Sequence, residues 1–243
     1  MKREKIGIVL PFKRRNPSFI EFNRKMFDEA ASIRMLEHGE RAKETPVDAA
    51  ITIYEQLNNM YEAEKNDFDG LVVGCYLDVG VREGRELCDI PVLGTAESSL
   101  RVCLMLGNKV GILTTSPYAK RGIEANLRSY EMDEQVFVED VGLSVEEILR
   151  GEEVKIADTI VSAVNKMIQH YDIQVLTFGS GAMYRVYELV MERLAKGGVE
   201  IPIVNSSKTS AAMLKLLIRY QLTQSRATYP KLENYEGINC KEQ

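Results

Sequence analysis

The sequence nearly repeats itself once, and the two copies differ at a chemically important residue. Segments of the first half return in the second half in the same order and at a nearly constant offset. The paired segments are KIGIVLP (5–11) with KVGILTT (109–115), RMLEHG (34–39) with FVEDVG (137–142), GLVVGC (70–75) with QVLTFGS (174–180), and IPVLGTAESS (90–99) with IPIVNSSKTS (201–210). Such a repeat predicts a duplicated α/β unit with a pseudo-twofold axis. Two similar strand ends would then face one cleft, one with Cys75 and the other with Ser180.

Short β-branched runs bounded by Gly or Pro alternate with longer amphipathic stretches, which is typical of βα units around parallel sheets. We predict strands at 5–10, 32–38, 69–74, 91–93, 109–114, 135–140, 173–178 and 202–204. We predict helices at 17–30, 47–65, 79–88, 95–106, 117–130, 153–171, 184–196 and 206–221, and a shorter capping-box helix at 144–150. The predicted fold class is α/β, with two pseudo-twofold-related lobes, each a four-stranded parallel sheet flanked by helices, and an active site in the cleft between them. The first lobe comprises residues 1–98 plus 206–243, and the second comprises 99–205.

Composition narrows the range of partners. The chain has 243 residues, a formal net charge of −5 and a pI near 5.3, which argues against nucleic acid or an anionic membrane as the main partner. We therefore expect a small-molecule substrate. Four cysteines without zinc-ligand spacing and two histidines predict no metal site. Free thiols, with no signal-peptide core and no apolar run of transmembrane length, indicate a cytoplasmic protein, and pairing into a homo-oligomer is left open.

Cys75 ends a predicted buried strand and precedes a predicted helix start at Asp78 and Val79. A helix dipole and free backbone N–H groups there would stabilise a thiolate, so this thiol could act as a base or a nucleophile. An isolated cysteine at a strand end is more often a small buried hydrophobe. Its place in the repeat favours the catalytic interpretation. The remaining cysteines lie in helical patterns or in the polar tail and fit a structural role: Cys88, Cys103 and Cys240.

Ser180 is flanked by Gly179 and Gly181, which permit a tight turn and a close approach of a ligand to the backbone. The sequence FGSGA lacks the first glycine of a GxSxG nucleophile elbow, and no histidine is nearby in sequence, so a serine-hydrolase triad is not expected. An unactivated serine is a poor base but a usable hydrogen-bond donor. Ser180 could equally serve only to fit a crowded glycine-rich turn.

Ligands of open parallel sheets bind beyond the carboxyl ends of the strands. We predict substrate-binding groups in the loops that follow these strand ends: Pro11, Asn16, Thr114, Thr115, Gly181 and Ser206. Hydroxyls and free backbone N–H groups that precede helices suit a carboxylate or an imide. Simple N-capping explains such hydroxyls equally well.

The segments that carry this pattern resemble the Asp/Glu racemase superfamily, and within it the hydantoin racemase branch. The resemblance spans essentially the whole chain and includes DGLVVGCYLDVG (69–80), FGSGAM (178–183) and the ending LTQSRATYP (222–230). It implies two pseudo-symmetric parallel sheets and a site without a cofactor. It further implies that two cysteines face each other across the substrate's α-carbon, one removing a proton and the other delivering one. The first family cysteine maps onto Cys75, whereas the second maps onto Ser180.

Three interpretations follow from this departure. In the first, Cys75 is the proton-transfer residue, Ser180 or a water that it holds serves the opposite face, and the protein is a racemase or epimerase of a small carboxylate or hydantoin-type substrate. In the second, one cysteine suffices, as in the decarboxylase and cis–trans isomerase relatives of the family. In the third, the protein binds a small molecule without catalysis. We expect the first.

Overall fold

A computed structural model describes residues 4–10, 21–22, 25–27, 32–37 and 46–233. These residues divide into two compact units, one up to Thr95 together with the chain from Ser210, and one from Ala96 to Thr209. The predicted boundaries at 98/99 and 205/206 fall close to these positions. Within the described residues each unit holds one four-stranded sheet.

The first unit is built on strands β1 to β4, in the spatial order β2-β1-β3-β4, all paired in parallel. Its strands are β1 (Lys5–Leu10), β2 (Ser32–Glu37), β3 (Gly70–Val73) and β4 (Val92–Gly94). In the sequence, helix α1 (Pro46–Lys65) connects β2 to β3 and helix α2 (Val81–Leu87) connects β3 to β4. Residues 21–22 and 25–27 are also helical. The rest of the predicted helix at 17–30 lies outside the described residues.

The second unit repeats this topology with strands β5 to β8 in the order β6-β5-β7-β8, again all parallel. Its strands are β5 (Val110–Thr114), β6 (Val136–Asp140), β7 (Val175–Phe178) and β8 (Ile203–Val204). Helix α3 (Thr95–Leu106) begins at the last residue of the first unit's N-terminal part and continues into the second unit. The helices that begin in the second unit are α4 (Pro117–Ser129), α5 (Val145–Arg150), α6 (Glu153–Tyr171), α7 (Tyr187–Lys196) and α8 (Ser206–Arg219). The predicted α/β fold of two four-stranded parallel sheets flanked by helices is therefore confirmed.

Burial of both sheet faces explains why these strands read as continuous apolar runs. On one face of the first sheet, Val9 and Val73 pack with Met60 of α1. On the other face, Ile8 and Leu214 of α8 share a second cluster. Each large aliphatic side chain buried in this way contributes about 1.5–3 kcal/mol to folding.

Two helices begin with the side chains that the sequence predicts at their N-termini. Ser144 and Glu147 form the predicted capping box: the Glu147 backbone N–H donates to the Ser144 hydroxyl, and the Ser144 backbone N–H donates to the Glu147 carboxylate. Hydrogen bonds from the Ser144 hydroxyl and the Ser144 backbone N–H to the Glu147 carboxylate lower the pKa of Glu147. Ser116 caps α4, with Pro117 in its first turn.

Two helix starts differ from the prediction because the backbone turns first. The helix predicted from residue 79 begins at Val81, since Asp78 and Gly80 adopt left-handed φ angles of 47° and 81°. The helix predicted from 184 is preceded by a 3₁₀ segment, Gly181–Val186, and begins as an α-helix only at Tyr187. No helix in the described part of the chain is long and apolar enough to cross a membrane.

Candidate active site

Cys75 lies in a short loop, Gly74–Gly80, that follows β3 and that we call the Cys75 loop. The loop leaves the sheet through Gly74, whose N–H donates to the Val9 carbonyl at 2.8 Å. A Cβ on Gly74 would lie 2.8 Å from Leu10 Cδ2 and 2.9 Å from Ile8 Cγ2, so glycine is required for the chain to pass. The Asp78 N–H then donates to the Cys75 carbonyl at 2.9 Å and closes a tight turn.

The Cys75 thiol is neutral at pH 7 in this environment. Removal from water raises its pKa to about 11; a hydrogen bond from the Leu77 N–H lowers the pKa, and the Asp78 charge raises it. Although partly exposed, Cys75 packs against the apolar cluster between α1 and β3. The predicted stabilisation of a thiolate by backbone N–H groups is met, among the described residues, only by the Leu77 N–H, and burial outweighs it. The predicted helix start at Asp78 and Val79 lies instead at Val81.

Asp78 is a residue of this loop that the sequence interpretation used only as a helix start. Its side chain is buried and lies over the end of β4. A Cβ on Gly94 would come within 2.3–2.6 Å of the three carboxyl atoms of Asp78, so the absence of a side chain at Gly94 makes room for this carboxylate. The repeat offered no signal for this contact, because it depends on packing between β4 and the loop.

Ser180 occupies the corresponding place in the second unit, after β7. Gly179 before it donates its N–H to the Leu113 carbonyl at 2.9 Å, as Gly74 does to Val9. Ser180 is half-buried and extended, with φ −149° and ψ 129°, and its side chain makes no capping bond to the 3₁₀ segment that follows. Among the described residues its hydroxyl has no hydrogen-bond partner. The serine is thus available to a ligand, but no described base activates it.

Thr114 ends the neighbouring strand β5 and Thr115 follows it directly; both are buried. The Thr114 hydroxyl donates a long hydrogen bond of 3.4 Å to the Gly179 carbonyl. A Cβ on Gly179 would lie 3.0 Å from Thr114 Cβ, so the two segments are in close contact. Thr114 therefore supports the turn that carries Ser180.

Ser206 begins α8, but its backbone N–H is already engaged. It donates to the Tyr184 hydroxyl at 3.0 Å, and that hydroxyl in turn donates to the Val204 carbonyl at 2.9 Å. The expectation of a free N–H at this helix start is therefore corrected for Ser206. Tyr184 is a site residue that sequence interpretation missed, since its role depends on an aromatic ring that reaches between two loops.

The second unit thus brings Thr114, Ser180, Gly181 and Ser206 to the carboxyl ends of adjacent strands, while Cys75 occupies the equivalent edge of the first unit. Pro11 and Asn16 lie outside the described residues, as does Cys240. Cys88 and Cys103 are buried, and burial raises the pKa of each thiol to about 12, which fits the structural role expected for them. No group of three or more metal-ligating side chains occurs in the part of the chain that the structure describes.

Each of the two four-stranded parallel sheets thus carries a candidate side chain at the equivalent strand end, the Cys75 thiol in one unit and the Ser180 hydroxyl in the other. A model of the Asp/Glu/hydantoin racemase family matches residues 28–214. Because that match covers most of the chain, the protein belongs to the Asp/Glu/hydantoin racemase family. The resemblance inferred from the strand-end motifs is confirmed.

Individual relatives agree with this assignment. A hydantoin racemase from Pseudomonas sp. is 31% identical over 98 residues, which is 40% of this chain and 39% of that protein. The chain therefore matches about two fifths of this relative's length. Crystallised allantoin racemase from Pseudomonas fluorescens has a TM-score of 0.83 at 19% identity and covers 96% of this chain and 99% of its own. Allantoin racemase from Klebsiella pneumoniae has a TM-score of 0.81 at 18% identity, covering 95% and 94%. At these identities the two structures establish the fold.

Proposed function

We propose that this protein is a cofactor-independent isomerase of the racemase or epimerase type that acts on a small carboxylate or a hydantoin-type cyclic amide. Cys75 is the proton-transfer residue, and Ser180 takes the place of the usual second cysteine. The observation that carries the proposal is a partly exposed thiol in a constrained loop at a strand end, in a chain that belongs to the racemase family. Relatives named hydantoin and allantoin racemase support the substrate class.

The chemistry expected at Cys75 depends on whether its thiol is protonated or ionised. In racemisation a thiolate removes the α-proton, the electron pair moves into the adjacent carbonyl as an enolate, and a donor on the opposite face returns a proton. With a pKa of about 11, only about one thiol in 10⁴ is ionised at pH 7. Ser180 is a weaker acid still. Return of a solvent-derived proton by the Cys75 thiol to the original face should therefore be faster than donation by Ser180 to the opposite face, and we expect exchange of the α-proton to outpace inversion.

The raised pKa of Cys75 also favours a second candidate, a decarboxylase that uses one cysteine. There the C–C bond to the carboxylate breaks, carbon dioxide leaves, and its electron pair stays on the α-carbon as an enolate. The neutral Cys75 thiol then donates a proton to that carbon and is reprotonated by water. A raised thiol pKa suits a donor of this kind, because the proton is in place before the reaction begins.

Solvent-deuterium incorporation tests the proposal directly. Wild-type protein is incubated in D₂O with 5-substituted hydantoins, allantoin, aspartate, glutamate and an arylmalonate, and products are analysed by NMR and chiral chromatography. We expect deuterium at a stereocentre, lost in Cys75→Ala and retained in the matched control Cys240→Ala. Turnover that persists in Cys75→Ala contradicts the mechanism. Decarboxylation without exchange supports the second candidate, and binding without either reaction indicates a non-catalytic protein.

Replacing the serine provides the complementary test. Under the two-face mechanism, Ser180→Cys supplies a second thiol and should raise the ratio of inversion to exchange on any substrate that the wild type exchanges. An unchanged ratio argues against opposed placement of Cys75 and Ser180.

A further inference from the structure

Helix α1 carries a buried carboxamide that the proposed chemistry does not use. Gln56 is 0% exposed, and neither its Oε1 nor its Nε2 has a hydrogen-bond partner in the part of the chain that the structure describes. One turn further on, Asn59 Nδ2 is likewise buried without a partner there. Buried amides are nearly always paired, because an unpaired one loses its hydrogen bonds to water without replacement. Two such groups on one helix are therefore candidates for hydrogen bonds to a bound molecule.

Gln56 lies against the loop that carries the catalytic thiol. A Cβ built on Gly80 would be 3.4 Å from Gln56 Oε1 and 3.9 Å from Gln56 Cβ, so the helix and the end of the Cys75 loop are in close contact. Gly80 and Asp78 both hold left-handed φ angles, which are unfavourable for Asp78. Since Gln56 is covered at Gly80, access of a ligand to its carboxamide requires the Gly80 end of the Cys75 loop to move away from α1.

Charge at the loop selects the kind of ligand. The Asp78 carboxylate acts on the Cys75 thiol as a negative charge, and it would repel a substrate carboxylate while leaving a neutral ring unaffected. A carboxamide presents one acceptor and one donor side by side. The edge of a cyclic amide presents the complementary pair, an N–H and a C=O.

We propose that Gln56 is the specificity-determining residue of the Cys75 site, and that it pairs with the N–H and C=O groups of a cyclic amide substrate. This inference rests on the proposed function, because it assigns the substrate class of the same site. It favours hydantoin-type rings over open-chain carboxylates.

Binding of 5,5-dimethylhydantoin tests this role without requiring catalysis, since its C5 carries no hydrogen that could exchange. Affinity is measured by titration calorimetry for the wild type, Gln56→Met and the matched control Gln169→Met, an exposed glutamine in α6. We expect Gln56→Met to weaken binding at least tenfold while its Tm stays equal or rises, because methionine removes an unpaired buried amide. Gln169→Met should bind like the wild type.

Derivatives of the probe locate the hydrogen bond. At least one of the two mono-N-methyl derivatives should bind the wild type more weakly and show no further loss with Gln56→Met. Equal affinity of the wild type and Gln56→Met overturns the inference, as does parallel loss of affinity and Tm, which indicates a purely structural amide. Failure of the wild type to bind the probe also overturns it.

The two proposals fail in different ways. If Gln56→Met keeps wild-type affinity while Cys75-dependent exchange is observed, the specificity role is wrong and the isomerase stands. If Gln56→Met loses affinity but no substrate exchanges, the ring-binding role stands and the isomerase is wrong.

Discussion

Replacing Tyr184 with phenylalanine should destabilise the second unit by an amount that its contacts define. The buried Tyr184 hydroxyl accepts the Ser206 N–H at 3.0 Å and donates to the Val204 carbonyl at 2.9 Å. The Val204 carbonyl also accepts a hydrogen bond from the Thr177 hydroxyl at 2.9 Å, so it stays hydrogen-bonded when the Tyr184 hydroxyl is removed. Ser206 is 3% exposed and its N–H would be left unpaired.

The expected cost of Tyr184→Phe is about 1–3 kcal/mol, the usual range for a buried polar group that loses its partner. For a chain of this size, at about 2–4 °C per kcal/mol, the cost corresponds to a fall in Tm of about 2–12 °C, measured by scanning calorimetry. Tyr187→Phe is the matched control, because the Tyr187 hydroxyl has no hydrogen-bond partner among the described residues; it should change stability by less than about 0.5 kcal/mol. If the two variants melt at the same temperature, the Tyr184 hydroxyl does not hold the start of α8.

Three further perturbations follow from contacts in the first unit. In a Cys240→Ser background, iodoacetamide should alkylate Cys75 with a pH midpoint near 11, the pKa set by its burial. Gly94→Ala should destabilise the fold by about 1–3 kcal/mol, because the added methyl overlaps the Asp78 carboxylate; displacing that charge should also lower the alkylation midpoint. Arg226 donates hydrogen bonds to the Arg85 carbonyl in α2 at 2.8 Å and to the Cys88 carbonyl just after it at 2.5 Å. Arg226→Ala should therefore cost about 1–3 kcal/mol and expose the chain after Leu222 to proteolysis.

Each of these has a matched control. For alkylation, Cys75→Ala in the same background should remove the reaction, and a midpoint near 8 would show that burial does not govern the thiol. Gly197→Ala, whose added methyl lies 3.3 Å from the nearest atom, should cost less than Gly94→Ala. Lys231→Ala removes a surface ion pair to Asp89 and should cost under about 1 kcal/mol. Equal losses for Arg226→Ala and Lys231→Ala would refute the role given to Arg226.

The fold was predictable because duplicated patterns and apolar runs act over short stretches of chain. The runs around Ile8 and Val72 are buried on both sheet faces, so their sequence alone identifies them as parallel strands. The capping box at Ser144 was equally predictable from the sequence, because Ser144 and Glu147 lie within one helical turn. The start of α2 was missed because the left-handed turns at Asp78 and Gly80 depend on how the loop packs.

The candidate site was predictable in its positions but less so in its electrostatics. Strand-end placement identified Cys75 and Ser180, since repeat and topology decide where a strand ends. The protonation state of the thiol was not predictable, because it depends on burial by residues distant in sequence. Tyr184 and Gln56 were not predicted for a similar reason. Tyr184 contacts the start of α8 across a loop, and Gln56 is a polar residue on the buried face of a helix.

The raised pKa of Cys75 makes the pH dependence of turnover a test of its role. If the thiolate is the base, the ionised fraction limits the rate, and the rate should rise tenfold per pH unit until about pH 11 and then level off. If the neutral thiol is the donor, as in a one-cysteine decarboxylase, the rate should be flat at neutral pH and fall above about pH 11. Ser180→Cys separates the cases further. A second thiol should add inversion in the first case and leave the profile unchanged in the second. A bell-shaped profile centred near pH 7 would contradict both, because it requires a thiol whose pKa binding or fold has lowered.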